Sequence, residues 1–251
     1  MKGYGFYPDI KKAVDAVRMV DTHEHLVPEE ERVKTELDAL AMFLLHYASS
    51  DLISSGMPVQ DLDDVSNPRL PLKKRWEKFA PFWEKIQNTG YARALNIAVK
   101  DLYGVDGLEE ETYPELVRCM KRENKVGLYK WVLKEKAGID VSILDTSMTT
   151  PVTDVDRSLF APVMRFQDFI MAMERGELEA LGRRCGMTIH ALSDLVKALE
   201  LEFEKVSGLI VGVKIGLAYM RTLRFDKVTH AEAEEVFNNI YRQRVFDRIT
   251  V

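Results

Sequence analysis

Two histidines separated by a single residue are the part of this sequence that most directly indicates chemistry. They lie in the segment DTHEHL at positions 21–26, directly after the apolar pair Met19-Val20. In an extended strand alternate side chains share a face, so His23 and His25 would point the same way. Two neutral imidazoles on one face are suitable ligands for a divalent metal ion. Ordinary hydrogen bonding at a strand-to-loop junction is the alternative, and the surrounding sequence has to decide between the two.

Lys214 is the second candidate because it stands within an apolar, β-branched run, 209–215, that predicts a strand buried on both faces. A lysine buried in a sheet is unfavourable unless its charge is paired or neutralised. At the strand end it would pair with a carboxylate, bind an anionic substrate or, after carbamylation, bridge two metal ions. A lysine that extends its ammonium into solvent is the structural alternative.

Two further groups of polar residues follow predicted strands. Arg165 ends a strand over 160–165 and can hold a substrate carboxylate through two parallel hydrogen bonds. A structural ion pair with Asp168 is an equally good interpretation of the same residues. The segment Asp145-Thr146-Ser147 follows the preceding strand and would line the same rim, although a polar turn explains it as well.

These candidates need elements that bring them together, and the periodicity of apolar residues predicts such elements. A short helix over 9–17 precedes the first strand. One long helix is then predicted over 29–50, because apolar residues recur at helix spacing at Val33, Leu37, Leu40, Leu44 and Tyr47. At that spacing Tyr47 is first a core candidate and only second a site residue. Further helices are predicted over 71–86, 91–103, 112–122 and 126–136.

Strands return after this helical stretch, and the order of elements predicts the fold. Strands are expected at 139–144, 160–165 and 209–215, and helices at 174–185, 190–206 and 231–248. The order β, β, β, α, β, α predicts a parallel sheet whose functional loops follow the carboxyl ends of the strands. Four strands are too few to close a barrel, which needs about eight. The predicted fold is therefore α/β, a partial TIM barrel of the (β/α)8 type, formed by residues 1–27 and 138–251, with residues 28–137 as a helical insertion after the first strand. We expect the chain to be the first half of a longer barrel, or a barrel whose other half has been lost.

Composition excludes several classes of protein. A chain of 251 residues, 46% of them hydrophobic, can bury the core of one domain or of a domain with an insertion. The net charge of −5, without a basic stripe, argues against a nucleic-acid partner. No apolar run is long enough to cross a membrane, and the N-terminus lacks a signal peptide. The cysteines, Cys119 and Cys185, predict no disulfide framework, so a reducing cytoplasm fits best.

The segment DTHEHL after a first strand resembles the metal-binding opening of the amidohydrolase superfamily, whose members are metal-dependent (β/α)8 barrels. The nearer similarity is to the uronate isomerase branch. That branch has a helical insertion that begins with a histidine-tyrosine pair, here His46-Tyr47, and ends at a glycine, here Gly56. The resemblance continues through aromatic-rich helices, the loop over 145–154 and the arginine at Arg165, and it covers about residues 18 to 170.

The resemblance implies roles for particular residues. His23 and His25 would be metal ligands, Tyr47 a catalytic and substrate-binding hydroxyl, and Arg165 a clamp for a substrate carboxylate. The implied cofactor is a divalent metal, zinc first, with manganese or iron as alternatives. Uronate isomerases carry an aspartate-histidine-glycine motif in the fourth-strand region, whereas this chain has Lys214-Ile215-Gly216. Some amidohydrolases use a carbamylated lysine on that strand to bridge two metals, and Lys214 suits that catalytic role.

Three functions are therefore compatible with the sequence. The first is hydrolysis of an amide, ester or lactone bond in a small, sugar-acid-like substrate by a metal-activated water. The second is aldose–ketose isomerisation of a uronate-like acid, with Tyr47 or another base moving the proton. The third is a catalytically inactive chain that serves as a binding or assembly module. The expected partner is a small molecule with a carboxylate, and no nucleic acid or membrane; a homo-oligomer is compatible with the sequence.

Overall fold

The chain forms two compact units, each with its own core. A computed structural model describes residues 5–35, 38–44, 47–146 and 151–242. The helical unit comprises residues 1–19 and 29–140, and the sheet unit comprises residues 20–28 and 141–251. The sequence predicts that residues 1–27 belong with the sheet, whereas residues 1–19 group with the helices.

The helical unit is built from short and medium-length helices. In chain order they are α1 (Tyr7–Asp15), α2 (Glu29–Lys34), α3 (Ala39–Phe43), α4 (Ala48–Ser54), α5 (Val59–Ser66), α6 (Leu72–Ile86), α7 (Gly90–Tyr103), α8 (Tyr113–Glu123) and a π-helix (Lys130–Lys136). The predicted helices over 71–86, 91–103 and 112–122 are confirmed to within one residue at each end. Helix α5 was not expected from the sequence. The single helix predicted over 29–50 is wrong, since α2, α3 and α4 occupy that stretch; Leu37 and His46 lie outside the described residues.

Asp38 explains why the predicted long helix is interrupted. Its carboxylate accepts a hydrogen bond from the backbone N–H of Ala41 (3.0 Å) and so caps the N-terminus of α3. Both of its oxygens also bind the guanidinium of Arg75, which is only 1% exposed. Arg75 donates a further hydrogen bond to the carbonyl of Val65 (2.7 Å). A buried guanidinium needs such partners, and periodicity of apolar residues cannot reveal that need.

The core of the helical unit is rich in aromatic side chains. Trp76, Phe79 and Trp83 of α6 are almost fully buried. The ring of Trp76 stacks on Tyr113 with centroids 4.4 Å apart, and the indole N–H of Trp83 donates to the carbonyl of Leu108 at 2.7 Å. The aromatic face of α6 therefore packs against its neighbours, and the indole N–H of Trp83 has a hydrogen-bond acceptor within the core.

The sheet unit contains four strands whose order in the sheet is their order in the chain. They are β1 (Met19–Glu24), β2 (Ile139–Asp145), β3 (Phe160–Arg165) and β4 (Gly212–Lys214). β2 pairs with β3 and β3 pairs with β4, both in parallel. The helices of this unit are α9 (Asp168–Met171), α10 (Arg175–Cys185), α11 (Leu192–Val206) and α12 (His230–Arg242). This four-stranded parallel arrangement is half of a TIM-type barrel, as predicted.

The fourth strand differs from its prediction. It spans Gly212–Lys214 instead of 209–215, and Val211, Val213 and Ile215 are all more than half exposed. The expectation that it is buried on both faces is therefore wrong. β4 is the last strand in the order of the sheet. β-branched residues favour an extended backbone, but they do not determine what packs against the strand. The part of the predicted last helix beyond 242 lies outside the described residues.

Two findings bear on the compartment and membrane predictions. Among the described residues, the structure contains no helix with the length and apolar character needed to cross a bilayer. Cys119 and Cys185 are both buried as free thiols, which agrees with the expectation that no disulfide is present.

We predict opposite effects from replacing two glycines of α10 by alanine. A Cβ on Gly182 would lie 2.6 Å from the backbone carbonyl oxygen of Met187, whereas a Cβ on Gly176 would meet nothing within 4 Å. Gly182→Ala should therefore lower the free energy of unfolding by about 1–3 kcal/mol. Gly176→Ala should raise it by about 0.5–1 kcal/mol, since alanine loses less backbone entropy. Urea denaturation measures both, and equal effects would contradict the packing described.

We also predict that Arg75→Met strongly destabilises the helical unit. The substitution leaves the Asp38 carboxylate and the Val65 carbonyl without their donor, which should cost about 3–5 kcal/mol. Lys73→Met is the matched control, because Lys73 lies on the same helix with its side chain exposed. Tryptophan fluorescence during denaturation is the measurement. If both variants unfold at the same urea concentration, the buried ion pair does not stabilise this unit.

Candidate functional site

The carboxyl ends of the four strands bring together several residues that the sequence had singled out. His23 lies near the end of β1, Asp145 ends β2, Arg165 ends β3 and Lys214 ends β4. Because neighbouring strands are parallel, their ends meet at one edge of the sheet; Arg165 and Lys214 are direct register partners. The structure thus places four of the candidate side chains, together with His25, in one cluster.

His23 and His25 lie side by side, although His25 is the residue after the end of β1. Their ring centroids are 4.6 Å apart and the rings are nearly perpendicular, at 85°. Burial lowers the pKa of His25, and the charges of Arg165 and Lys214 act in the same direction, while the Asp145 carboxylate opposes them. His25 is therefore held in its neutral form, which is the form that binds a metal ion.

Asp145 and Arg165 form the buried ion pair of the site. The Arg165 Nε donates to Asp145 Oδ2 at 2.8 Å, and Arg165 Nη2 lies 2.6 Å from the same oxygen. The Asp145 side chain is 0% exposed, and its Oδ2 lies 3.9 Å from Nε2 of His25. The suggested pairing of Arg165 with Asp168 is wrong, because Asp168 binds Arg184 instead. Asp145 is likewise a buried anion and not part of an exposed polar turn.

Lys214 approaches an imidazole. Its Nζ lies 3.1 Å from Nδ1 and 3.5 Å from Nε2 of His23, and within the described part of the chain no carboxylate pairs with it. The segment after Lys214 is fixed by Gln167, whose Oε1 accepts a hydrogen bond from the backbone N–H of Gly216 at 2.7 Å. A Cβ on Gly216 would lie 2.9 Å from Arg165 Nη1, so a larger residue here would require the end of the Arg165 side chain to shift. The sequence reasoning missed Gln167, whose spacing of two residues from Arg165 was the available signal.

Asp21 and Glu24 form a second carboxyl pair beside the histidines. Burial and the nearby Asp21 carboxylate raise the pKa of Glu24 to about 7. Oδ2 of Asp21 is buried and accepts no hydrogen bond from the residues that the structure describes, so the proton of a neutral Glu24 is the natural partner for it. Glu24 is therefore partly protonated at neutral pH.

The remaining predicted residues lie elsewhere. Tyr47 belongs to the helical unit, where its ring is 57% exposed and stacks on Tyr91 with centroids 5.3 Å apart. It is thus not a core residue, and its catalytic or substrate-binding role stays a prediction. Thr146 is buried and donates its hydroxyl to the carbonyl of Val163 at 3.0 Å, so it stabilises the strand pair. His46 and Ser147 lie outside the described residues.

The cluster fits a metal ion in part. His23 and His25 are adjacent, and the neutral imidazole of His25 is the right donor for zinc, manganese or iron. The described ranges contain no group of three histidine, cysteine, aspartate or glutamate side chains that could hold a metal. Asp145 is engaged by Arg165. A metal here would take the two histidines as ligands and need the others from outside the described residues.

Two solved structures are similar to this chain over nearly its whole length. The crystal structure of uronate isomerase from Thermotoga maritima has a TM-score of 0.68 at 13% identity, over 93% of this chain and 53% of that chain. Glucuronate isomerase from Caulobacter crescentus has a TM-score of 0.67 at 14% identity, over 93% of this chain and 52% of that chain. The predicted structural resemblance to uronate isomerases of the amidohydrolase superfamily is confirmed. At these identities it establishes the fold alone, and the chain spans about half the length of either isomerase.

No family model matches this sequence, and no curated protein sequence matches it. The similarity in fold is therefore recognised from the structure and not from a sequence match. Any activity has to be argued from the residues of the cluster.

We predict that Asp145→Asn both destabilises the sheet unit and changes the titration of His25. Loss of the buried carboxylate leaves the Arg165 guanidinium unpaired at this contact and should cost about 3 kcal/mol of unfolding free energy. The pKa of His25 should fall further, because Asp145 is the group that raises it. Denaturation and NMR titration of the His25 ring are the two measurements.

Asp226→Asn is the control for this experiment. Asp226 forms an ion pair with Arg224 on the surface, with both side chains more than two-thirds exposed, so its loss should change stability by less than about 0.5 kcal/mol. The pKa of His25 should not move in this variant. An Asp145→Asn protein that behaves like the control would mean that the buried ion pair does not organise the cluster.

Proposed function

We propose that this chain contributes the two-histidine side of a metal-dependent aldose–ketose isomerase site that acts on uronate-like sugar acids. One observation carries the proposal: His23 and His25 lie side by side at the end of the first strand of a half-barrel similar to two sugar-acid isomerases. The second isomerase is described as acting on glucuronate, which we take as the model substrate.

The residues of the cluster would have different roles in the reaction because their charges differ. His23 and His25 would hold the metal, which supplies Lewis-acid polarisation of the substrate oxygens. The neutral state of His25 keeps its lone pair available. Isomerisation also needs a group that moves a proton between neighbouring carbons, and Tyr47 stays the sequence-based candidate for this step. Zinc, with manganese or iron as alternatives, and a cytoplasmic location stay predictions.

Hydrolysis of an amide, ester or lactone is the second candidate, and the position of Lys214 favours it. Its Nζ lies 3.1 Å from His23 Nδ1, at the strand end where a bridging ligand would be needed. Reaction of the lysine amine with carbon dioxide forms a carbamate with release of one proton, and that anion could bridge two metal ions. Extra density on Lys214 Nζ in a crystal structure, with lactonase activity, would favour hydrolysis. A catalytically inactive binding module is the third possibility.

Metal analysis tests the proposal first. The purified chain should contain about one divalent ion, and the double variant His23→Ala, His25→Ala should lose it, because both imidazole donors are removed. His230→Ala is the control, since His230 is 72% exposed and pairs with Glu234 on α12. Elemental analysis by mass spectrometry gives the stoichiometry. Assays of glucuronate isomerisation against lactone hydrolysis then separate the two enzyme candidates.

A chain without bound metal, or a double variant that retains it, would contradict the assignment of the histidines. Metal bound through the histidines without turnover of uronate or lactone would instead support the inactive binding module.

A further inference from the structure

The cluster at the strand ends contains two cations, and their surroundings differ sharply. Arg165 is 16% exposed and binds Asp145 through both Nε and Nη2. Asp145 is completely buried, so withdrawing Arg165 from it would leave an uncompensated anion in the interior. Arg165 is therefore poorly suited to the role of substrate clamp that the sequence predicted.

Lys214 has the opposite surroundings. It is half-buried at the end of β4, and its Nζ contacts the ring of His23 at 3.1 Å. Among the described residues no carboxylate neutralises it. The hydrogen bond from Gly216 to Gln167, and the tight space between Gly216 and Arg165, hold the backbone just beyond Lys214. The ammonium is thus presented beside His23 by a fixed strand end.

The pairing of the charged groups points to an anionic ligand for Lys214. Asp145 and Arg165 bind one another, whereas no described carboxylate pairs with Lys214. A divalent metal on the histidines would add positive charge beside its ammonium. The hydroxyls of a neutral aldose can accept hydrogen bonds from an ammonium, whereas the carboxylate of a sugar acid also supplies the opposite charge.

We infer that Lys214 binds the carboxylate of the sugar-acid substrate and so determines specificity for uronates over neutral sugars, while Arg165 is a positioning residue that holds Asp145. This inference rests on the proposed function for the identity of the substrate. It changes the sequence-based assignment, in which Arg165 clamped the carboxylate. It also assigns Lys214 a role in its cationic form, whereas a carbamylated lysine would be an anion and would repel a carboxylate.

NMR titration of the metal-depleted protein with D-glucuronate and D-glucose tests the inference, because Lys214 acts without the metal. The wild-type protein should bind glucuronate at least about tenfold more tightly than glucose, as expected for a charge-assisted hydrogen bond. Added salt should reduce the preference. Lys214→Met should abolish it, and Lys214→Arg should retain it because the positive charge remains. Lys197→Met, an exposed lysine of α11, is the matched control and should leave it unchanged.

The outcomes separate this inference from the proposed function. Preference for glucuronate that survives in Lys214→Met overturns the inference alone, even when the histidines bind metal and the protein isomerises glucuronate. Preference that depends on Lys214 in a chain that never binds metal supports the inference and contradicts the isomerase. Folded wild-type protein that binds neither sugar, or binds both equally, also overturns the inference.

Discussion

A carboxylate shielded completely from solvent stays ionised only beside a cation, and the pairing of Asp145 with Arg165 meets this constraint at the centre of the sheet unit. Each residue ends a strand, so the ion pair ties the ends of β2 and β3 together. The ion pair also contacts residues on either side of it. On one side the carboxylate lies near the ring of His25, and on the other the Arg165 side chain occupies the space beside Gly216.

This ion pair affects the charge states of the other residues at the strand ends. With Asp145 and Arg165 neutralising one another, His25 is left neutral by its burial and by the cations around it. Glu24 is kept partly protonated at neutral pH by burial beside Asp21. Lys214 then stands out as a cation without a described carboxylate partner. In the proposed function, such a site would bind a metal ion through the two imidazoles together with an anionic organic ligand, which is the combination that a sugar-acid isomerase would need.

The similarity to two isomerases and the chemistry of the cluster support one another without being the same argument. The structural similarity extends over 93% of this chain but only about half of each isomerase, at identities of 13% and 14%. It therefore establishes the fold alone, and it does not assign roles to the residues at the strand ends. The proposed roles of Arg165 and Lys214 rest instead on hydrogen bonds and burial.

The sequence by itself determined the class of fold and the histidine pair. Alternation in a strand places His23 and His25 on one face whatever surrounds them, and the order of strands and helices implies a parallel sheet with its polar residues at one edge. Long, strongly periodic helices such as α6 and α7 were predictable for the same local reason. Only the tertiary structure decided the partners. Asp38 pairs with Arg75 where a continuous helix was predicted, and Arg165 binds Asp145 and not Asp168. β4 has an exposed apolar face. All three features depend on residues distant in the chain. Pairing and burial are set by such neighbours in space, and no spacing along the sequence encodes them.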